Sequence, residues 1–249
     1  MDFLQLNFSG EPGMAIIALV AFFGGLVRGF TGFGGPAFIL AILTLFFTPF
    51  SVVSKILVVD FIASVYLFKV VYREIDWRAT ASMVIPSLIC MPLGHWLLLE
   101  LDPLLMKRVM ALIIAAVCVL MLIGYRYKHP MTTGLLITLG IIAGIIFGGT
   151  YIALVAVVFI LMGPYDKHAG RTLIIAWSLF AVLGFTIVSV YSGTTGTDDV
   201  LTAAPGALTY MLGTWIGSHG FSKSSETLFR RVAISILLLL SVLNLVTRF

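Results

Sequence analysis

Charge is scarce in this sequence: of 249 residues only 10% are Asp, Glu, Lys or Arg, while 60% are hydrophobic. Soluble domains carry roughly 25% charged residues and about half apolar ones, so a water-soluble fold of this size could not hide so much apolar surface. Lipid is the solvent that fits. Cysteine is nearly absent as well. Cys90 and Cys118 both stand in apolar stretches, in neither a disulfide pattern nor a metal-ligand spacing, and read as small lipid- or helix-facing residues. The four histidines, His95, His129, His168 and His219, do not cluster in sequence, so no metal site and no cofactor is expected. A membrane-embedded enzyme would need a nucleophile with its base, paired acids or a metal cluster inside the hydrophobic runs. Asp60 is the one clearly internal acid, which argues against an enzyme. Basic residues are missing from the first 27 positions, which do include Asp2 and Glu11, so the N-terminus lacks the n-region of a typical signal peptide. The net charge of +4 would suggest nucleic acid in a soluble protein. Here the basic residues sit mostly between hydrophobic runs, where they set topology, and no nucleic-acid partner is expected.

What is present is a series of ten apolar segments. In the first half they cover 13–29, 33–47, 51–71, 78–99 and 104–124, and in the second 133–148, 150–162, 168–191, 200–218 and 228–247. A full crossing needs about 20 residues at 1.5 Å each. Segments two and seven fall short of that, and each follows a glycine-rich break, so each reads as part of a broken or re-entrant helix. The two halves, 1–128 and 129–249, repeat. Pro86 and Pro205, Gly94 and Gly213, Trp96 and Trp215, Gly25 and Gly144, Gly29 and Gly148, and Thr31 and Thr150 are all 119 positions apart. The expected fold is an all-α integral membrane protein of two repeats with about five segments each.

Charge placement gives the orientation. Arg73 and Arg78 flank one loop, Arg126 and Lys128 a second, Lys167 a third, and Lys223, Arg230 and Arg231 a fourth. The loop 193–199 carries only Asp198 and Asp199. A periplasmic N-terminus makes the four basic loops cytoplasmic and the acidic loop external, with Lys107 and Arg108 as the exception. Five segments per half start the second copy on the opposite side, so the repeats are expected to be inverted, the plan of many secondary transporters.

The densest motif is Gly29-Phe30-Thr31-Gly32-Phe33-Gly34-Gly35-Pro36. Such glycines unwind a helix, and Pro36 suits the first turn of a new one. A helix beginning there directs free N–H groups and partial positive charge ahead of it, which suits an anion. Residues 144–151 (GIIFGGTY) form a weaker second break. The nucleotide-loop alternative fails, because the spacing lacks a preceding strand and a following Lys-Ser/Thr. Charges inside apolar segments are costly and point to function. They are Arg28, Lys55, Asp60 and Arg171. Candidate substrate-binding residues are therefore Arg28, Thr31, Gly32, Gly34, Gly35, Lys55, Gly148, Gly149, Thr150, Arg171 and Thr172. Asp60 is a candidate for a coupling proton or a structural ion pair, with Lys55 or with a base on another helix. Trp77, Trp96 and Trp215 lie towards segment ends, where aromatic belts form, and Trp177 is deeper.

With these motifs the chain resembles the TauE/SafE family of sulfite exporters and sulfonate permeases. The likeness rests on Gly29–Pro36, on its fainter copy at 144–151, and on His168-Ala169-Gly170-Arg171-Thr172, which is similar to the family's helix start after the second motif. The family-like positions are Gly32, Gly34, Gly35, Pro36, Gly148, Gly149 and Thr172. Arg28, Lys55 and Arg171 depart from it, standing where small or apolar residues are usual. The resemblance implies a two-repeat secondary transporter of sulfite, sulfonates or related small anions in the bacterial inner membrane, driven by a proton or sodium gradient. The expected partners are a small anionic substrate and the lipid bilayer, and a homo-oligomer is compatible with the sequence. A carrier for short-chain carboxylates, or a non-transporting membrane scaffold, are the rival expectations.

Overall fold

The computed structural model describes residues 11–123, 131–220, 235 and 238–243. Arg126, Lys128, His129, Lys223, Arg230, Arg231, Asp2 and most of the tenth segment lie outside the described residues. Every other hydrophobic run folds as helix, and no strand occurs among the described residues. The order is α1 (Glu11–Thr31), α2 (Gly35–Leu43), α3 (Pro49–Val71), a 3₁₀ turn (Tyr72–Glu74), α4 (Trp77–Glu100), α5 (Pro103–Ile123), α6 (Thr133–Thr150), α7 (Leu154–Met162), α8 (Lys167–Tyr191) and α9 (Thr197–Gly220). Five of these, α3, α4, α5, α6 and α8, are long and apolar enough to cross a membrane. The chain is an integral membrane protein.

Local signals set the helix starts. Asp76 accepts hydrogen bonds from the N–H groups of Arg78 and Ala79 at 3.0 Å and so begins α4. Asp166 does the same for α8 through His168 and Ala169. Each such cap satisfies donors that the first helical turn leaves free. The short helices are shorter than hydropathy alone suggests. α2 ends at Leu43 rather than at 47, and α7 begins at Leu154 rather than at 150. In both cases apolar residues of the flanking turn extend the hydrophobic run without extending the helix.

Several element bounds match at an offset of 119 residues. α2 and α7 are both nine residues long and begin 119 positions apart, and α1 and α6 end 119 positions apart on Thr31 and Thr150. The halves are interleaved rather than side by side. α1 packs most extensively on α9, and α4 on α6, so each half lends a helix to the other.

Small residues make these contacts close. A Cβ on Gly25 would strike the carbonyl oxygen of Tyr210, and one on Gly29 that of Thr214. Both numbers rise together, so α1 and α9 run parallel. In the other interface Gly140, Gly144 and Gly148 meet the carbonyls of Met83, Ser87 and Met91, again parallel. Without a hydrophobic drive between helices in lipid, such backbone approach is what holds them.

The two interfaces are not in equal register. Gly25 of α1 opposes Tyr210, whose counterpart 119 positions earlier is Met91. Gly144, the counterpart of Gly25, opposes Ser87 instead, four residues away. The displacement is four residues, close to one helical turn.

Candidate functional site

Two chain breaks meet in the middle of this arrangement. Gly32 (φ 82°) and Gly34 (φ 85°) sit in the left-handed region that glycine tolerates and turn the chain from α1 into α2. α2 folds back along α1, since a Cβ on Gly35 would meet the Gly24 carbonyl and one on Gly24 the Ile39 side chain. In the second copy Tyr151 occupies the position equivalent to Gly32 and adopts the same left-handed conformation, at φ 57°. A bulky side chain there is uncommon, and such outliers concentrate at functional sites. Gly34 lies close to Leu154, so the starts of α2 and α7 come together.

The central cluster is polar and sealed. Arg28, near the end of α1, is 2% exposed. Its Nε lies 3.3 Å from Oδ1 of Asp60 on α3, Nη1 donates to the Gly32 carbonyl at 3.3 Å, and Nη2 donates to Ser64 Oγ at 2.9 Å. Tyr210 on α9 donates its hydroxyl to Asp60 Oδ1 at 2.8 Å. The Tyr151 side chain is fully buried, close enough for the charges of Arg28 and Asp60 to act on it, and its hydroxyl has no hydrogen-bond partner. Leaving a buried hydroxyl unpaired costs about 1–3 kcal/mol, so its presence calls for a reason.

Asp60 thus pairs with Arg28 and not with Lys55. Five residues on a helix turn through about 140°, which puts Lys55 and Asp60 on different faces. Lys55 instead donates to Asp199 Oδ1 at 3.3 Å, where Ser54 also donates at 3.1 Å. This half-buried contact joins α3 of the first half to α9 of the second. A more exposed pair joins the halves elsewhere, with His168 Nε2 3.4 Å from Glu74 Oε2.

Of the other candidates, Arg171 lies along Gly32 and donates to the Gly29 carbonyl at 3.4 Å. It therefore borders the first break. Thr31 and Thr150 back-bond to Val27 and Ile146 at 2.7 and 2.6 Å and accept from the N–H groups of Phe33 and Ile152, so each stitches its own break. Gly35 touches the cluster, since a Cβ there would meet the Tyr210 hydroxyl and Arg28 Cβ. Gly148 and Gly149 instead pack against Met91 and Gly94 in the α4–α6 interface. Thr172 is buried on α8, one residue beyond Arg171.

Three members of the cluster, Ser64, Tyr151 and Tyr210, escaped the sequence reading. Tyr210 aligns with Met91 and Tyr151 with Gly32, so in each case one copy of the repeat has a hydroxyl that the other lacks. That polar asymmetry between otherwise similar copies is the signal that could have found the two tyrosines.

A family model described as Sulfite exporter TauE/SafE matches residues 17–244. No curated protein and no solved structure matches the chain.

Proposed function

The chain belongs to the sulfite exporter TauE/SafE family of membrane transporters, and on that premise we propose that it carries a small sulfur-containing anion, sulfite or an organosulfonate, across the bacterial inner membrane by alternating access. One observation carries this reading: the buried Arg28 guanidinium stands beside the start of α2, within electrostatic reach of a buried tyrosine, Tyr151, whose hydroxyl has no hydrogen-bond partner. A guanidinium offers paired N–H donors that match two oxygens of a sulfite or sulfonate group. α2 begins after Gly34, which provides no side-chain cap, so its first N–H groups add partial positive charge to the same place. Tyr151 would donate to a third oxygen, and Arg171 flanks the path along the first break.

The inverted repeat gives the motion. Two equivalent interfaces standing one turn apart in register are what a two-state carrier requires, because exchanging the registers between halves produces the opposite-facing state. Lys55–Asp199 and Glu74–His168 each tie one half to the other, and breaking them in turn opens the external and cytoplasmic faces. The periplasmic N-terminus places the acidic 193–199 loop outside.

Thermal unfolding of the purified protein with sulfite, taurine, isethionate, sulfoacetate and short carboxylates tests the substrate class. Stabilisation by sulfite or sulfonates, together with saturable flux of labelled sulfite in proteoliposomes that Arg28→Gln abolishes, is the expected result. Stabilisation by carboxylates alone would move the assignment to a carboxylate carrier. No response to any anion would leave a non-transporting scaffold. Normal flux in Arg28→Gln would refute the site.

A further inference from the structure

Arg28 is held by Gly32 and Ser64 through its two terminal nitrogens, and its counter-ion is Asp60, so an arriving anion must share the guanidinium charge with the Asp60 carboxylate. The charge balance of the cluster then restricts what can bind. With the site empty, the buried Arg28 cation faces the buried Asp60 anion and these two charges sum to zero, while the half-buried Arg171 borders the path outside the pair. Adding a monovalent anion to the same groups leaves one uncompensated negative charge in a sealed, lipid-embedded centre, which is strongly disfavoured. Adding a proton to Asp60 with the anion restores zero, because Arg28 then pairs with the substrate and Asp60 is a neutral acid. Tyr210 can keep its hydrogen bond to a protonated Asp60, whose carbonyl oxygen still accepts.

Resting on the anion site proposed above, we propose that Asp60 is the proton-binding site of the transporter, and that one proton enters with each monovalent anion so that every turnover is electroneutral. The groups around Asp60 leave it alone in this role. From α1 it faces Arg28, from α9 Tyr210, from the α6–α7 break Tyr151, and on its own helix Ser64 binds the same guanidinium. α2 contains no titratable residue. On α8, Arg171 donates to the Gly29 carbonyl, and on α5, Lys107 lies beside Leu40, Ala41 and Thr44 at the far end of α2. The other carboxylates that bridge the halves, Asp199 and Glu74, are paired with Lys55 and His168. The same balance selects charge: hydrogensulfite, sulfonates and carboxylates qualify as monoanions, whereas sulfate, a dianion near neutral pH, would leave one negative charge over.

The test is sulfite flux in proteoliposomes holding an entrapped pH dye, with protein-free vesicles as the blank. For the wild type, protons should move with sulfite, an acid compartment should accelerate flux out of it, and potassium diffusion potentials of either sign should change nothing. Flux that follows the voltage, or sulfite movement without protons, would overturn the proposal. Asp60→Asn fixes the site in its neutral-acid form, so each cycle should now carry one negative charge and net flux should become voltage-dependent. A variant still electroneutral and still driven by the acid gradient would overturn the assignment to Asp60. If Asp60→Asn does not fold, the wild-type voltage measurement decides by itself. A wild type that moves no sulfite would remove the anion site and this inference with it, an outcome distinct from sulfite carried electrogenically.

Discussion

The Arg28–Asp60 pair makes a quantitative demand on stability. Both side chains are nearly inaccessible, at 2% and 3%, and the separation is 3.3 Å. Removing one partner strands the other as an uncompensated buried charge, which costs about 3–5 kcal/mol. Arg28→Met leaves the Asp60 carboxylate with Tyr210 alone, and Asp60→Val leaves the guanidinium with Ser64 and the Gly32 carbonyl. Each single variant should therefore lose about 3–5 kcal/mol. The double variant removes both charges and leaves mainly the Tyr210 hydroxyl unpaired, a loss of about 1–3 kcal/mol. The double variant should thus be more stable than either single one, although both variants that lack Arg28 should fail to transport. Reversible unfolding in mixed micelles, analysed as a double-mutant cycle, measures this directly. Losses that add to within about 0.5 kcal/mol would mean the two charges do not act as a pair, and the reasoning would fail.

Other expectations follow from the same geometry. Tyr151→Phe removes a buried hydroxyl with no partner, so the empty protein should gain up to about 1–3 kcal/mol while its affinity for sulfite falls; melting curves with and without sulfite check it, and reduced stability with unchanged affinity would contradict it. Gly25→Leu would drive a side chain into the Tyr210 carbonyl and separate α1 from α9, whereas Gly134→Leu, with nothing within 4 Å, should stay within about 0.5 kcal/mol of wild type. Detergent-solubilised yield and melting temperature would compare the two, and equal behaviour would count against the packing argument. Spin labels at the exposed Leu19 and Leu208, on α1 and α9, should report an axial shift of about 5.4 Å between empty and sulfite-loaded protein. An unchanged distance distribution would exclude the one-turn slide.

The sequence by itself determined the solvent, the helices and the 119-residue spacing of the matched glycines, prolines and tryptophans. Hydropathy and glycine spacing act over a few residues, so the bilayer, the short α2 and α7, and the breaks at Gly32–Gly34 and Tyr151 can be read from neighbours along the chain. Even the deep placement of Trp177, which donates to Ser87 at 2.9 Å, follows from its position within a long apolar run. Charge partnership is different. Arg28, Asp60, Tyr151 and Tyr210 come from different elements in both halves, and only the interleaved packing of α1 with α9 brings them together. The same is true of His95 and Lys107. The sequence puts both near the outer end of their segments, yet both are buried, His95 against the Phe185 ring and Lys107 beside the last turn of α2, where carbonyl ends favour a cation. Register was likewise a tertiary decision: Gly25 and Gly29, like their counterparts Gly144 and Gly148, stand four residues apart, so a slide of four residues still sets a small residue against its partner's backbone.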